Sequence, residues 1–547
     1  MFRRSLSVSP LVLILAFVLS FVAGCKGPSM SQKSTPAGAA ATAGSYDDLV
    51  KLFQEFREFV KPKMNAGVPD YTAAAMAEQF DGLKTMQQRL AAIDSSSWPI
   101  PQRADYLIVK AEMNGLEFNH RVMKPWSRDP GFYAVYGQFQ PVIYGTLRLP
   151  RGPITAEQVP DVRMKLRAVP KILEQARANL TEPASDLALL AIDFKKRESE
   201  RLKKLSDDLS KDHPDLAADA AKAREAVDAY TSWLEKSKDG WTKYAGIGIE
   251  NYNWYIKNVW LLPYTWEDLM AISQRELERS ISSIALERHK NRSLPPLKQI
   301  TDEAQYVKLF NDSQKELLDF LKREDIMTIP EYMQLKPVTS HRFTPVTDYF
   351  ANVQERDPLP LMAHDFVGHG PDMTRNAMDK RVIRGADRLY HIEGVRAEAY
   401  ATGMEEALMH LGLFDKRPRS RELVYNLLAF RAARAIADLK MHSKELTYLE
   451  AFKYVQDHTP DGWVPPAGSS PTLWGDLDLY LRQPCYGVSY LIGSVQVQQL
   501  IAHRASQLGE KFELKAFLDE FIKSGWIPIS LIRWEMTGLD DQVKNFW

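Results

Sequence analysis

From Tyr46 onward, apolar side chains recur at three- and four-residue steps. Leu49, Phe53, Phe56 and Val60 form one stripe on a helix that starts near Tyr46. The stretch 161–245 keeps a helical period through Leu173, Leu180, Leu187, Leu190 and Phe194. It includes the charged run KKRESERLKKLSDDLSKD, which reads as a solvated helix face. Residues 251–255 and 260–263 are an aromatic-rich link. Thr265, followed by Trp266, Glu267 and Asp268, marks a further helix start. Few stretches alternate with a period of two, and RFTPVTDY (342–349) is the best candidate for a short strand or extended segment. The pattern predicts a mostly α-helical fold with at most a small β element. It divides the chain into an N-terminal helical region, 46–245, and a C-terminal one, 246–547.

Ahead of these helices, Arg3 and Arg4 precede the apolar run LVLILAFVLSFV at 11–22. That run is too short for a comfortable membrane span and reads as a signal-peptide core. The small residues of Val22-Ala23-Gly24 before Cys25 resemble the lipobox of bacterial lipoproteins. Residues 1–24 are then a leader that is removed, and Cys25 carries acyl chains. Residues 25–45, rich in Gly, Ala, Ser, Pro and Thr, form a flexible tether. Lys26, rather than an acidic residue, follows the cysteine. The expected location is the bacterial cell envelope, lipid-anchored in the outer membrane and facing the periplasm. Of two Cys, lipidation leaves only Cys485 as a thiol, so no intrachain disulfide can form. Basic and acidic residues balance at 70 each, which argues against a dedicated nucleic-acid binder. There is no Gly-rich phosphate loop, CxxC pair or GxSxG elbow, so the commonest nucleotide and serine-hydrolase chemistries are excluded.

Three segments carry candidate chemistry. The first is His364-Asp365-Phe366-Val367-Gly368-His369, with an acidic segment downstream in which Glu393 and Glu398 both qualify as a further ligand. Two imidazoles and a carboxylate suit a divalent transition metal. The histidines are five apart, about 140° round an ideal helix. A kink or widened turn at Gly368 would re-aim the second one. Asp365 stands where a metal-site general base is found in HExxH sites. The second segment stacks Arg434, Asp438 and His442 on one helix face, with Arg431 close to the same stripe. Such a face reads as a salt-bridged surface or as a substrate wall: an Arg to grip a carboxylate, a His oriented by an Asp. The third segment joins a loop to an apolar helix at 483–493, where Tyr490 can donate to a developing oxyanion. Cys485 lacks any neighbour that suggests activation as a nucleophile.

With these residues in view, the chain resembles the bacterial family called domain of unknown function 885, whose members look like gluzincin-type metallopeptidases and are often lipoproteins. The family's RAxRxxxDxxxH helix matches Arg431, Arg434, Asp438 and His442. Its PGQAxSYxIG segment matches Pro484, Ser489, Tyr490, Ile492 and Gly493. Its Gly-x-x-x-Tyr segment matches Gly248 and Tyr252, and its EGWxxY helix start matches Glu393 and Gly394. The resemblance implies a large helical metallopeptidase-like fold, with Glu393 as third metal ligand and Glu398 in reserve. The sequence departs from the family's HExxPGH motif: HDxxGH is one residue shorter, lacks the Pro and has Asp365 for Glu. Val395 and Glu398 replace the Trp and Tyr of EGWxxY, and Tyr486 stands where the family has Gln. Locally, HDxxGHxP also resembles the iron-binding segment of pterin-dependent aromatic amino acid hydroxylases.

These readings lead to one expectation. The protein is a membrane-anchored, zinc-dependent hydrolase of peptide or amide bonds, with a small peptide or amide substrate and no nucleic-acid partner. His364, His369 and Glu393 hold Zn²⁺, Asp365 is the general base, Tyr490 stabilises the oxyanion and His442 assists. Arg431 or Arg434 orients a substrate carboxylate. The other classes are a 2-His-1-carboxylate iron oxygenase and a degenerate binding lipoprotein without catalysis.

Overall fold

The computed structural model describes residues 44–547, apart from 66, 136–146, 148, 150–153 and 344–347. The leader 1–24, Cys25 and nearly all of the tether lie outside the described residues. Among the described residues the fold is mostly α, and the sheet is one antiparallel pair, Met64–Asn65 with Val68–Pro69. The strand expected at 342–349 does not form in its described part. Arg342 and Phe343 are irregular, and Tyr349 instead opens the helix Tyr349–Gln354. Among the described residues no helix is long and apolar enough to cross a membrane.

Local signals set the helix starts. Ser45 caps Tyr46–Phe59, Thr265 caps Trp266–Lys290 and Thr447 caps Tyr448–His458. Each has an acidic residue at the third helical position that reaches back to the cap backbone. The stretch 161–245 contains three helices, Val159–Asn179, Ser185–Leu209 and Pro214–Ser237. Most of its charged run is exposed, as read from the sequence. Lys195 and Glu198 are the exception: they form a fully buried ion pair at 2.7 Å. Lys195 also donates to the Tyr133 carbonyl, and Glu198 accepts from the Val135 amide, so the buried pair has further partners.

One core cluster runs from Leu49 to Phe546, on both sides of residue 245. The helix Ser420–His442, buried around almost its whole circumference, divides its apolar residues between this cluster and a second one that includes Tyr349, Phe430 and Tyr448. The helices Trp266–Lys290, Tyr486–Leu508, Tyr448–His458 and Pro471–Arg482 pack against this helix. Two glycines set the spacing around the helix Gly394–His410. A Cβ on Gly493 would sit 2.2 Å from Ala399 Cβ, and one on Gly368 would sit 2.6 Å from Ala401 Cα. Only hydrogen at these positions lets Tyr486–Leu508 and the His364 segment approach Gly394–His410 this closely.

Candidate metal centre

The His364 segment is a π-helical turn, Ala363–His369, between the short helix Leu359–Met362 and the helix Gly370–Met378. Its wider turn closes on an i→i+5 bond, from the Gly370 amide to the Asp365 carbonyl. Of the kink and the widened turn that the five-residue spacing left open, this is the widened turn. It brings the two imidazole rings to 4.6 Å between centroids, almost perpendicular.

Glu398 faces both rings. Its Oε2 lies 3.4 Å from His369 Nε2 and 4.0 Å from His364 Nε2. That oxygen is buried and makes no hydrogen bond among the described residues. The three ligand atoms lie within 4.8 Å of one another. Three ligands about 2.1 Å from one zinc ion stand roughly 3.4 Å apart, so the cluster needs only a small contraction to hold one. The donor set, two imidazoles and a carboxylate, suits zinc, iron and related cations.

Burial pushes the His369 imidazole down, but its contact with Glu398 outweighs this and raises it above its ordinary value, so a metal ion would bind there in competition with a proton. His364 Nδ1 lies 2.8 Å from Glu405 Oε1. Arg431 Nη2, which can only donate, lies 3.3 Å from the same nitrogen, and in the tautomer where Nδ1 donates to the nearer Glu405 carboxylate the Nε2 lone pair faces Glu398. Arg431 binds Glu405 with two parallel bonds, Nη2 to Oε1 at 2.6 Å and Nη1 to Oε2 at 2.8 Å. Burial alone would push Glu405 up, but Arg431 and His364 outweigh it and hold the carboxyl below its ordinary value. Glu398 is likewise buried, and its contact with His369 brings it below its ordinary value.

The cluster opens into a cavity of about 270 Å³, lined also by Asp365, Arg431, Arg434, Asp476 and Tyr490. Asp365 is exposed there. It also borders a second cavity of about 260 Å³, whose walls include Phe310, Tyr332, Met333 and Phe366. Arg434 is buried and paired with Asp476 through Nη1. Its guanidinium carbon lies 5.0 Å from the centre of the Tyr490 ring, and its Nε and Nη2 have no hydrogen-bond partner among the described residues. Burial pushes the Tyr490 phenol well above its ordinary value, so it remains a proton donor.

The structure assigns other places to some residues singled out from the sequence. Glu393 does not join the cluster. It lies five positions before Glu398, so the two point to different sides of one helix. Its Oε1 lies 3.7 Å from His391 Nδ1 instead. His442 does not line the cavity. It is fully buried at the far end of its helix, where its Nε2 lies 3.1 Å from the Tyr480 carbonyl and its ring packs on Tyr252. Asp438 lies 3.5 Å from His442 as the spacing suggested, but it accepts from the Gly487 amide and fixes the start of Tyr486–Leu508. Gly248, whose amide bonds the His442 carbonyl, completes this structural knot. Arg431 reaches the cavity wall, yet its charge is committed to Glu405. Cys485 is buried, and burial pushes its thiol well up. Glu405 and Tyr486 were missed in the sequence. Glu405 lies seven residues after Glu398, two turns along the same face, and that spacing was the available signal.

Burial pushes the Glu393 carboxyl up to about 7, above its ordinary value of 4.5. Its contribution to stability is therefore full below pH 4.5 and is lost as the pH rises through about 7. Glu393→Gln stays neutral throughout. It is expected to stabilise the protein at pH 8, by up to about 3 kcal/mol, and to change little at pH 4.5. Urea unfolding at the two pH values checks this; no gain at pH 8 contradicts it.

A family model described as bacterial protein of unknown function (DUF885) matches residues 56–336 and 400–536. The match covers well over half of the chain, which belongs to that family. It does not extend over 337–399, the stretch that carries His364, His369 and Glu398. No curated protein matches the chain. Two solved structures share the fold. One is a candidate lipoprotein of unknown function from Shewanella oneidensis, with a TM-score of 0.70 at 16% identity, covering 90% of this chain and 100% of its own. The other is a candidate lipoprotein from Colwellia psychrerythraea, with a TM-score of 0.67 at 14% identity, covering 91% and 99%.

Proposed function

We propose that this protein is a lipid-anchored envelope hydrolase that uses one divalent metal, zinc in the first instance, to cleave peptide or amide bonds. The observation that carries the reading is the meeting of His364 Nε2, His369 Nε2 and Glu398 Oε2 at the wall of a cavity. The leader ending at Cys25, together with the description of both structural neighbours as candidate lipoproteins, supports the lipid anchor, and Lys26 after the cysteine favours the outer membrane facing the periplasm.

His364, His369 and Glu398 would hold the ion, and a bound zinc supplies Lewis acidity and makes water a stronger acid. Asp365, exposed to the cavity, takes the proton from the attacking water. Tyr490 donates its hydroxyl to the oxygen that becomes negative at the carbonyl. The unpartnered N–H groups of Arg434 favour a substrate with a free carboxylate. Asp365 lies between two cavities, so a short peptide can extend on either side of the scissile bond.

The test uses the full chain loaded with zinc and a panel of short peptides and N-acyl amino acids. Asp365→Asn is expected to keep its metal and lose roughly 10²- to 10⁴-fold in kcat. Turnover unchanged in Asp365→Asn contradicts the assignment of the base. Stoichiometric iron with oxygen uptake contradicts the hydrolase reading.

A further inference from the structure

Tyr486 begins the helix Tyr486–Leu508, directly after Cys485, which adopts a left-handed backbone with φ of 80°. Its hydroxyl donates to Glu398 Oε1 at 2.9 Å. The other oxygen of that carboxylate, Oε2, faces the two imidazoles. Aromatic neighbours hold the Tyr486 ring in place. Tyr480 stacks on it at 6.1 Å and 19°, while Trp260 and His391 meet it edge-on. Packing thus fixes the donor as well as its distance.

A free carboxylate can bind a cation through one oxygen or through both. Here one oxygen is already engaged by a phenol locked among other rings. We propose that Tyr486 is a positioning residue that reserves Oε1 of Glu398, so that Glu398 offers the metal only Oε2 and leaves room for substrate. This inference rests on the metal reading above and adds to it how one ligand is oriented. Without the hydroxyl, the carboxylate is free to rotate away from the imidazoles or to engage the ion with both oxygens. Hydrogen-bond partners of metal ligands typically contribute 10- to 100-fold to metal affinity.

The experiment measures Zn²⁺ affinity by chelator competition and the visible absorption of the Co²⁺-loaded protein, using the full chain. Tyr486→Phe is expected to bind zinc about 10-fold more weakly and to give an altered Co²⁺ spectrum. Tyr480→Phe keeps the stacked ring and is expected to match the unmutated protein in both. Should Tyr486→Phe fail to fold, Tyr486→Gln, whose donor sits on a shorter arm, is expected to show the same weakening. If the unmutated protein binds zinc and the Tyr486 variant is indistinguishable from it, the positioning role is overturned and the metal reading stands. If the unmutated protein binds neither ion, both fall.

Discussion

Glu398→Ala is expected to lose the metal, while Glu393→Gln keeps it. Glu398 supplies the oxygen nearest both imidazoles, and that oxygen has no other hydrogen-bond partner among the described residues. Removing the carboxylate leaves two imidazole nitrogens, which is too few for a stable protein zinc site. The affinity loss exceeds the roughly 100-fold typical for an outer partner. Glu393 faces His391 rather than the cluster, so Glu393→Gln leaves the ligand set intact. Chelator-competition titration of the two variants in parallel separates these roles. Retention of metal by Glu398→Ala, or its loss from Glu393→Gln, would show that the third ligand has been misassigned.

Glu405→Ala is expected to damage both stability and the site. The Glu405 and Arg431 side chains are almost fully buried and joined by two hydrogen bonds. Removing one partner leaves a guanidinium uncompensated in the core, at a cost of about 3–5 kcal/mol. It also releases His364 Nδ1, which then no longer fixes the tautomer that turns Nε2 toward Glu398. The two effects are separable. Glu405→Leu combined with Arg431→Met replaces the pair by apolar side chains of similar size, which is often close to neutral for stability. The double variant should recover most of the lost stability in urea unfolding, yet still bind zinc about 10- to 100-fold more weakly than the unmutated protein. Recovery of metal affinity together with stability would contradict the role given to Glu405.

The helices and their starts were legible because their causes are local. Ser45 with Asp48 and Thr265 with Asp268 lie three residues apart and satisfy each other's end groups. The two histidines were legible for a similar reason: their spacing and Gly368 left a kink or a widened turn as the ways to aim both at one point, and a π-helical turn is what forms. Which glutamate faces the two imidazoles was not legible, and the sequence placed Glu398 behind Glu393. Glu393 and Glu398 differ by about 140° of helix rotation, and contacts far apart in sequence decide which faces the imidazoles. Gly368 against Ala401 and Gly493 against Ala399 fix that rotation. His442 was misread because face continuity on the Ser420–His442 helix does not mean one environment. Arg434 reaches the cavity, whereas two turns later His442 lies in packed core. The strand expected at 342–349 rested on β-branched and aromatic residues with no partner strand in prospect, and propensity alone does not make a sheet.

Elemental analysis of the full chain, purified without added metal and then titrated with zinc, tests the central claim most directly. The account predicts one tightly held divalent metal per chain, absent from His364→Ala and from Glu398→Ala. A chain that holds no metal before or after titration, or whose metal survives both substitutions, would contradict it.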